Sequence, residues 1–185
     1  MRRLTFSLLV AAGTIVVAAT SFAAETPEEA VRAFYSDRQS RGLASVPDHL
    51  HPEALAAFRE MLLPPFEEMA TPNAKQMLSL FGPNATTETV RNLSPAEFMR
   101  TFLSLADRQL GLRSIQFRSV EVLGSVQEGP VTHVVVRSGV SSKGVTVATM
   151  EVVSVKKDGT QWRLLLSSYL EGVAIAIRGE AESRK

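Results

Sequence analysis

Two hydrophobic periods divide this chain. Up to about Leu110 the apolar residues recur at helical spacing, and from Ser114 onward they alternate or run in short β-branched stretches. Ala30, Val31, Phe34 and Tyr35 fall on one face of a first helix. Thr26-Pro27-Glu28-Glu29 opens that helix, with threonine as cap, proline at the first helical position and Glu29 bonding back, and Gly42 closes it after Arg41. Pro52 opens a second helix, with Leu55, Phe58 and Leu62 at helical spacing and Pro64-Pro65 as the stop. Thr71-Pro72 opens a third, carrying Met77, Leu78 and Phe81 up to Gly82-Pro83. Ser94-Pro95-Ala96-Glu97 repeats the capping signature, and Phe98, Phe102 and Leu105 predict a fourth helix to about Leu110.

The second half reads as strands over Ser114–Leu123, Val131–Ser138, Val145–Lys157 and Gln161–Leu170. Asp158-Gly159 is the strongest hairpin signal, Ser141–Gly144 supplies a second turn, and Gly124–Gly129 a looser third. Helices first and strands last imply an α+β fold, with N-terminal helices on the concave face of a curved antiparallel sheet. Residues 24–170 form that domain. The stretch 171–185 reads as a further strand, Val173–Ile177, followed by a polar tail.

Three stretches together resemble the nuclear transport factor 2-like superfamily, the cone-shaped fold of ketosteroid isomerases and polyketide cyclases. TPEEAVRAFYSDRQSRG is similar to its opening helix, VPDHLHPEALAAF to its short second helix, and VVSVKKDGTQWRLLL to its closing hairpin. The resemblance implies a pocket between helices and sheet. It implies no one activity, because the fold hosts enzymes, carriers and dimerisation modules.

Residues 1–23 carry Arg2 and Arg3, then an apolar stretch interrupted by Gly13 and Thr14, then small residues ending in Ser21-Phe22-Ala23. This is the pattern of a cleaved export signal cut after Ala23, and it is preferred over a transmembrane anchor because polar residues break the run. Its removal takes two of the 20 basic residues and leaves 18 against 19 acidic ones. A balance so near neutral argues against a nucleic-acid binder. The chain has no cysteine, which excludes disulfides, thiolate metal sites, lipidation at the cut site and cysteine nucleophiles. A short signal without disulfides suits a bacterial periplasmic or secreted protein, with no stable membrane anchor and no cofactor.

Hairpin arithmetic places the candidate chemistry. A two-residue loop at Asp158-Gly159 pairs Lys157 with Thr160, Val155 with Trp162, Val153 with Leu164 and Glu151 with Leu166, and turns that mostly apolar face inward. A three-residue loop at Ser141–Lys143 sets His133 opposite Glu151 with Arg137 on the same side, whereas a loop one residue different sends His133 to the outer face. His133, Arg137, Glu151, Trp162, Leu164 and Tyr35 are therefore the candidate pocket residues. Asp48-His49-Leu50-His51-Pro52-Glu53 reads as a capping and turn segment in preference to a metal site. Three functions follow as expectations. The first is binding of a small apolar ligand or a partner segment in the pocket. The second is isomerase- or cyclase-like proton transfer by His133 and Glu151. The third is homodimerisation through an outer sheet face carrying Arg163, Leu165 and Tyr169.

Overall fold

The structure is a computed structural model that describes residues 26–68, 78–109, 116–142, 145–172 and 174–175. The export signal expected over 1–23, its cut after Ala23, and the start of the helix expected from Thr71 lie outside these residues. The α-helices described ahead of the sheet include α1 (Pro27–Arg41), α2 (Val46–His49), α3 (Pro52–Glu68), α4 (Thr87–Arg91) and α5 (Pro95–Gln109). They precede an antiparallel sheet of β1 (Gln116–Glu128), β2 (Val131–Ser142), β3 (Val145–Asp158) and β4 (Gln161–Leu164), in the spatial order β1-β2-β3-β4. The α+β class follows. Among the described residues the sheet is open, not closed into a barrel.

Local chemistry sets the helix starts. Thr26 accepts from the Glu29 amide while the Glu29 carboxylate accepts from the Thr26 amide, and Ser94 and Glu97 repeat this exchange at α5. Thr86 and Thr89 form a third reciprocal pair at α4, a helix that the hydrophobic pattern is too short to announce. α3 does not stop at Pro64-Pro65 but runs on to Glu68. The φ of proline is itself helical, so a helix can pass through it at the cost of the missing backbone bonds.

α1 lies across all four strands, and α3 and α5 pack against each other. Val31, Leu50, Phe58, Leu62, Phe98, Met99, Val134, Val136, Val155 and Leu164 form the buried core between the layers. Phe58 is fully buried in it, edge-on to Phe98 and Phe102 at centroid distances of 6.4 and 5.6 Å.

The strand pairings correct the expected ones. Asp158 pairs with Gln161 around Gly159-Thr160, so Val155 meets Leu164 and Lys157 meets Trp162. Gly159, at φ 60°, occupies the first turn position, where a side chain would be strained, and this moves β4 by two residues without changing its face. Ser142 pairs with Val145, so two residues, not three, join β2 to β3, and every β2–β3 pairing changes by an odd step. Gly124 lies inside β1 next to an irregularity in register, and the turn is Gly129-Pro130. β4 ends at Leu164, and a helical turn over 168–172 follows. Ala174 and Ile175 are helical too, where a strand over Val173–Ile177 was expected.

Candidate functional site

Because side chains alternate along a strand, the odd step in β2–β3 pairing moves a whole residue set to the other face. Val134, Val136 and Ser138 point to the helices and are fully buried, whereas His133 pairs with Ser154 and Arg137 with Met150 on the outer face. Glu151 pairs with Val136 and shares the inner face. His133 and Glu151 therefore stand on opposite sides of the sheet, and the proton-transfer pair expected of them is not assembled. The reason is desolvation. The set Thr132, Val134, Val136, Ser138 carries no charge, while the alternative set would bury both His133 and Arg137. His133 instead bonds Ser154 Oγ at 2.9 Å and the exposed Glu128 carboxylate at 3.0 Å, and Arg137 pairs with Glu121 at 3.1 Å.

What the inner face does bring together is Tyr35 and Glu151. The Tyr35 hydroxyl, on α1, donates to Glu151 Oε1. Ser138 Oγ lies 2.9 Å from Thr149 Oγ1 and donates to the same carboxylate oxygen at 3.4 Å. Tyr35 is buried, Glu151 is exposed, and the pair marks where cover ends along the inner face of β3, while Ser138 on β2 stays buried. Burial first, then the hydrogen bond and negative charge of Glu151, push the Tyr35 hydroxyl well above the ordinary tyrosine range. Burial lowers the Arg38 guanidinium, against the opposing pull of Tyr35, Glu151 and Tyr169.

Beyond Glu151 the same face of β3 continues through Thr149, Val147 and Val145, all exposed, with the two valines at 54% and 65%. On the other side of Glu151 it runs into the core through Val153 and Val155. Leu164 is buried there, and half-buried Trp162 packs beside it with Lys157 Nζ 5.2 Å from its ring centroid. Of the expected pocket residues, Tyr35 and Glu151 meet, Trp162 and Leu164 form the covered wall, and His133 and Arg137 face away. Arg38, Ser138 and Thr149 complete the polar cluster. Ser138 and Thr149 follow from strand parity once the register is known, and Arg38 stands three residues, nearly one helical turn, after Tyr35.

The polar side chains of the Asp48–Glu53 segment are engaged in ion pairs and turn bonds. His49 lies 3.0 Å from the Asp37 carboxylate, which also takes Arg41 at 3.1 Å. Asp48 accepts from Arg41 at 2.9 Å and Arg100 at 2.7 Å, and those guanidinium groups, Arg100 first, hold its carboxyl below the usual range. Arg163 donates to the Asp48 carbonyl at 3.0 Å, tying β4 to α2. His51 accepts from the Glu53 amide at 3.2 Å, a cap on the first turn of α3. Among the described residues no group of three or more metal-ligating side chains converges, and no helix is long and apolar enough to cross a membrane. The outer-face trio expected to dimerise is also dispersed: Arg163 is on β4, Leu165 lies beyond it, and Tyr169 sits on the helical turn over 168–172. No protein-family description, curated protein or solved structure matches this chain.

Proposed function

We propose that this chain is an exported binding domain of the nuclear transport factor 2-like kind. In this reading it holds a small, largely apolar molecule against the inner sheet face, with a hydrogen-bond-donating end of that molecule on Glu151. One observation carries the proposal: the Tyr35–Glu151 contact heads an exposed strip of Thr149, Val147 and Val145 on one face. Tyr35 and Ser138 both donate to Oε1, so the carboxylate is held in place by neutral donors while it stays exposed to solvent. A fixed, exposed acceptor next to exposed valines suits an amphipathic molecule: the valines gain by being covered, and the carboxylate selects the polar end. The order of elements, with capped helices laid over an antiparallel meander, supports the superfamily reading. The leader-like residues 1–23 support export, and the mature protein then begins at Ala24.

Native mass spectrometry of protein purified from its own export compartment without detergent tests the binding. The expected result is an added mass in the small-molecule range. Glu151→Gln keeps the circular dichroism of the parent but binds the recovered molecule at least about tenfold more weakly, as loss of one hydrogen bond to a charged group implies. A bare wild-type mass would overturn the binding reading, and N-terminal sequencing that starts at Met1 would overturn export.

A further inference from the structure

β3 is long and β4 is short. β4 pairs only with Val155–Asp158, and the Leu165 amide adds one bond to the Ser154 carbonyl at 2.8 Å. From Val145 to Val153 one edge of β3 is matched by β2 residue for residue, and the other edge has no strand partner among the described residues. Every residue from Val145 to Val152 is exposed. Val145, Val147, Met150 and Val152 account for half of the eight large apolar side chains found exposed among the described residues, so the exposed apolar surface is concentrated on this one edge.

Sheet edges that must stay single are blunted by proline, by charged residues (lysine above all, and charges that point inward), by bulges or by very short strands. VTVATMEV contains no proline, glycine or lysine, has Glu151 as its one charge, and pairs with β2 without a bulge. We infer that this edge is an interface between two copies of the chain. β3 pairs with β3 of the second copy, antiparallel, about a two-fold axis perpendicular to the sheet and centred on Ala148.

Symmetry fixes what meets what. Such an axis sets one residue opposite its own copy and keeps both inner faces on the same side. Centred on Ala148, it pairs Val147 with Thr149, Thr146 with Met150 and Val145 with Glu151. The pairing ends on both sides before the Leu165–Ser154 bond, so β4 need not move. Each Glu151 meets a valine, and the two carboxylates stay about 20 Å apart along the strands. A net charge of +1 for the chain, or −1 after removal of residues 1–23, adds little long-range repulsion. A foreign extended peptide could make the same backbone bonds. The second copy, however, brings a strand of matching length already held extended by β2, so it loses less conformational entropy on pairing. The dimer is an eight-stranded sheet, and it sets the second copy's Val145 beside Glu151. The inference stands on the edge alone and does not require the ligand proposed above.

The absence of cysteine makes the test clean. Residues opposed in an antiparallel pair have Cα atoms about 4.5–5.5 Å apart, within disulfide reach. Ala148→Cys is expected to form a covalent dimer on mild oxidation. Thr146→Cys and Met150→Cys are each expected to stay uncrosslinked alone, because like residues lie roughly 13 Å apart along the strands. Mixed together, these two variants crosslink to each other. Sedimentation of the wild type gives a concentration-dependent dimer, and Ala148→Lys, which opposes two cations at an exposed position, weakens it at least tenfold. A wild-type monomer at high concentration would overturn the inference and leave the edge to an extended segment of another protein. A dimer that Ala148→Lys leaves unchanged and Ala148→Cys fails to trap would overturn it as well. Native mass spectrometry separates this failure from failure of the ligand reading, since subunit number and added small mass are read independently.

Discussion

Tyr35 is where a single hydroxyl joins the two halves of the chain. It is one of only two tyrosines, and its ring packs edge-on against Phe34 at 5.1 Å. Its pKa is raised, so the sign of the linkage is fixed: an unfolded chain gives up the tyrosine proton near pH about 10, while the folded chain still holds it. The stabilisation is complete below that pH and declines as pH climbs toward the folded value. Urea denaturation between about pH 8 and 11 is expected to show wild-type stability falling more steeply than that of Tyr35→Phe. Near neutrality Tyr35→Phe costs about 1–2 kcal/mol, since Glu151 loses a donor but can turn to water. Equal slopes in the two proteins would remove Tyr35 as the cause. At this scale the sequence was informative: a tyrosine on the apolar stripe of a capped helix, and a carboxylate at an inward position of a strand, both stand out without a structure. Arg38 carries no such mark, because a single arginine on a helix reads as solvated until its neighbours are known.

Elements whose ends carry their own chemistry were legible, and elements defined by register were not. α1 begins at Pro27 and ends at Arg41 as the capping residues require, and α5 follows its own Ser94–Glu97 signature. Gly42 closes α1 at φ 74° and ψ −166°, a region open essentially to glycine alone. An added Cβ would meet only Asp107 Oδ2 at 3.6 Å, so Gly42→Ala costs backbone strain rather than a clash, about 1–3 kcal/mol. Gly124→Ala, with nothing within 4 Å, is the matched control and should leave the urea midpoint unchanged or slightly higher. Equal midpoints for the two variants would show that Gly42 is not held in that conformation. The β2–β3 register depended on whether two or three residues make one turn, and turn composition alone does not count them. The counting signal lay in β2 itself, where only one of the two alternating sets is free of charge.

At the level of the whole molecule, helices before strands correctly gave the α+β class, and the stripe positions Val31, Phe58, Phe98 and Phe102 all became buried core. What composition and periodicity did not convey is the unequal length of β3 and β4, since Gln161–Leu170 is apolar enough to read as a full strand. That inequality creates the free edge along Val145–Val153. The sheet order β1-β2-β3-β4 also copies the chain order, so each strand pairs with its immediate neighbour across a two-residue link. Loop closure along such a meander is entropically mild, and the capped helices need only local contacts to start. The Tyr35–Glu151 contact is the opposite case, because it spans 116 positions of sequence. A bond of that span is expected to form after the hairpins and helices it connects, on the downhill side of the folding barrier. In stopped-flow chevrons, Tyr35→Phe is expected to leave the refolding limb nearly in place and to raise the unfolding rate. One hydroxyl laid across the finished layers then sets how long the assembled protein lasts rather than how fast it assembles.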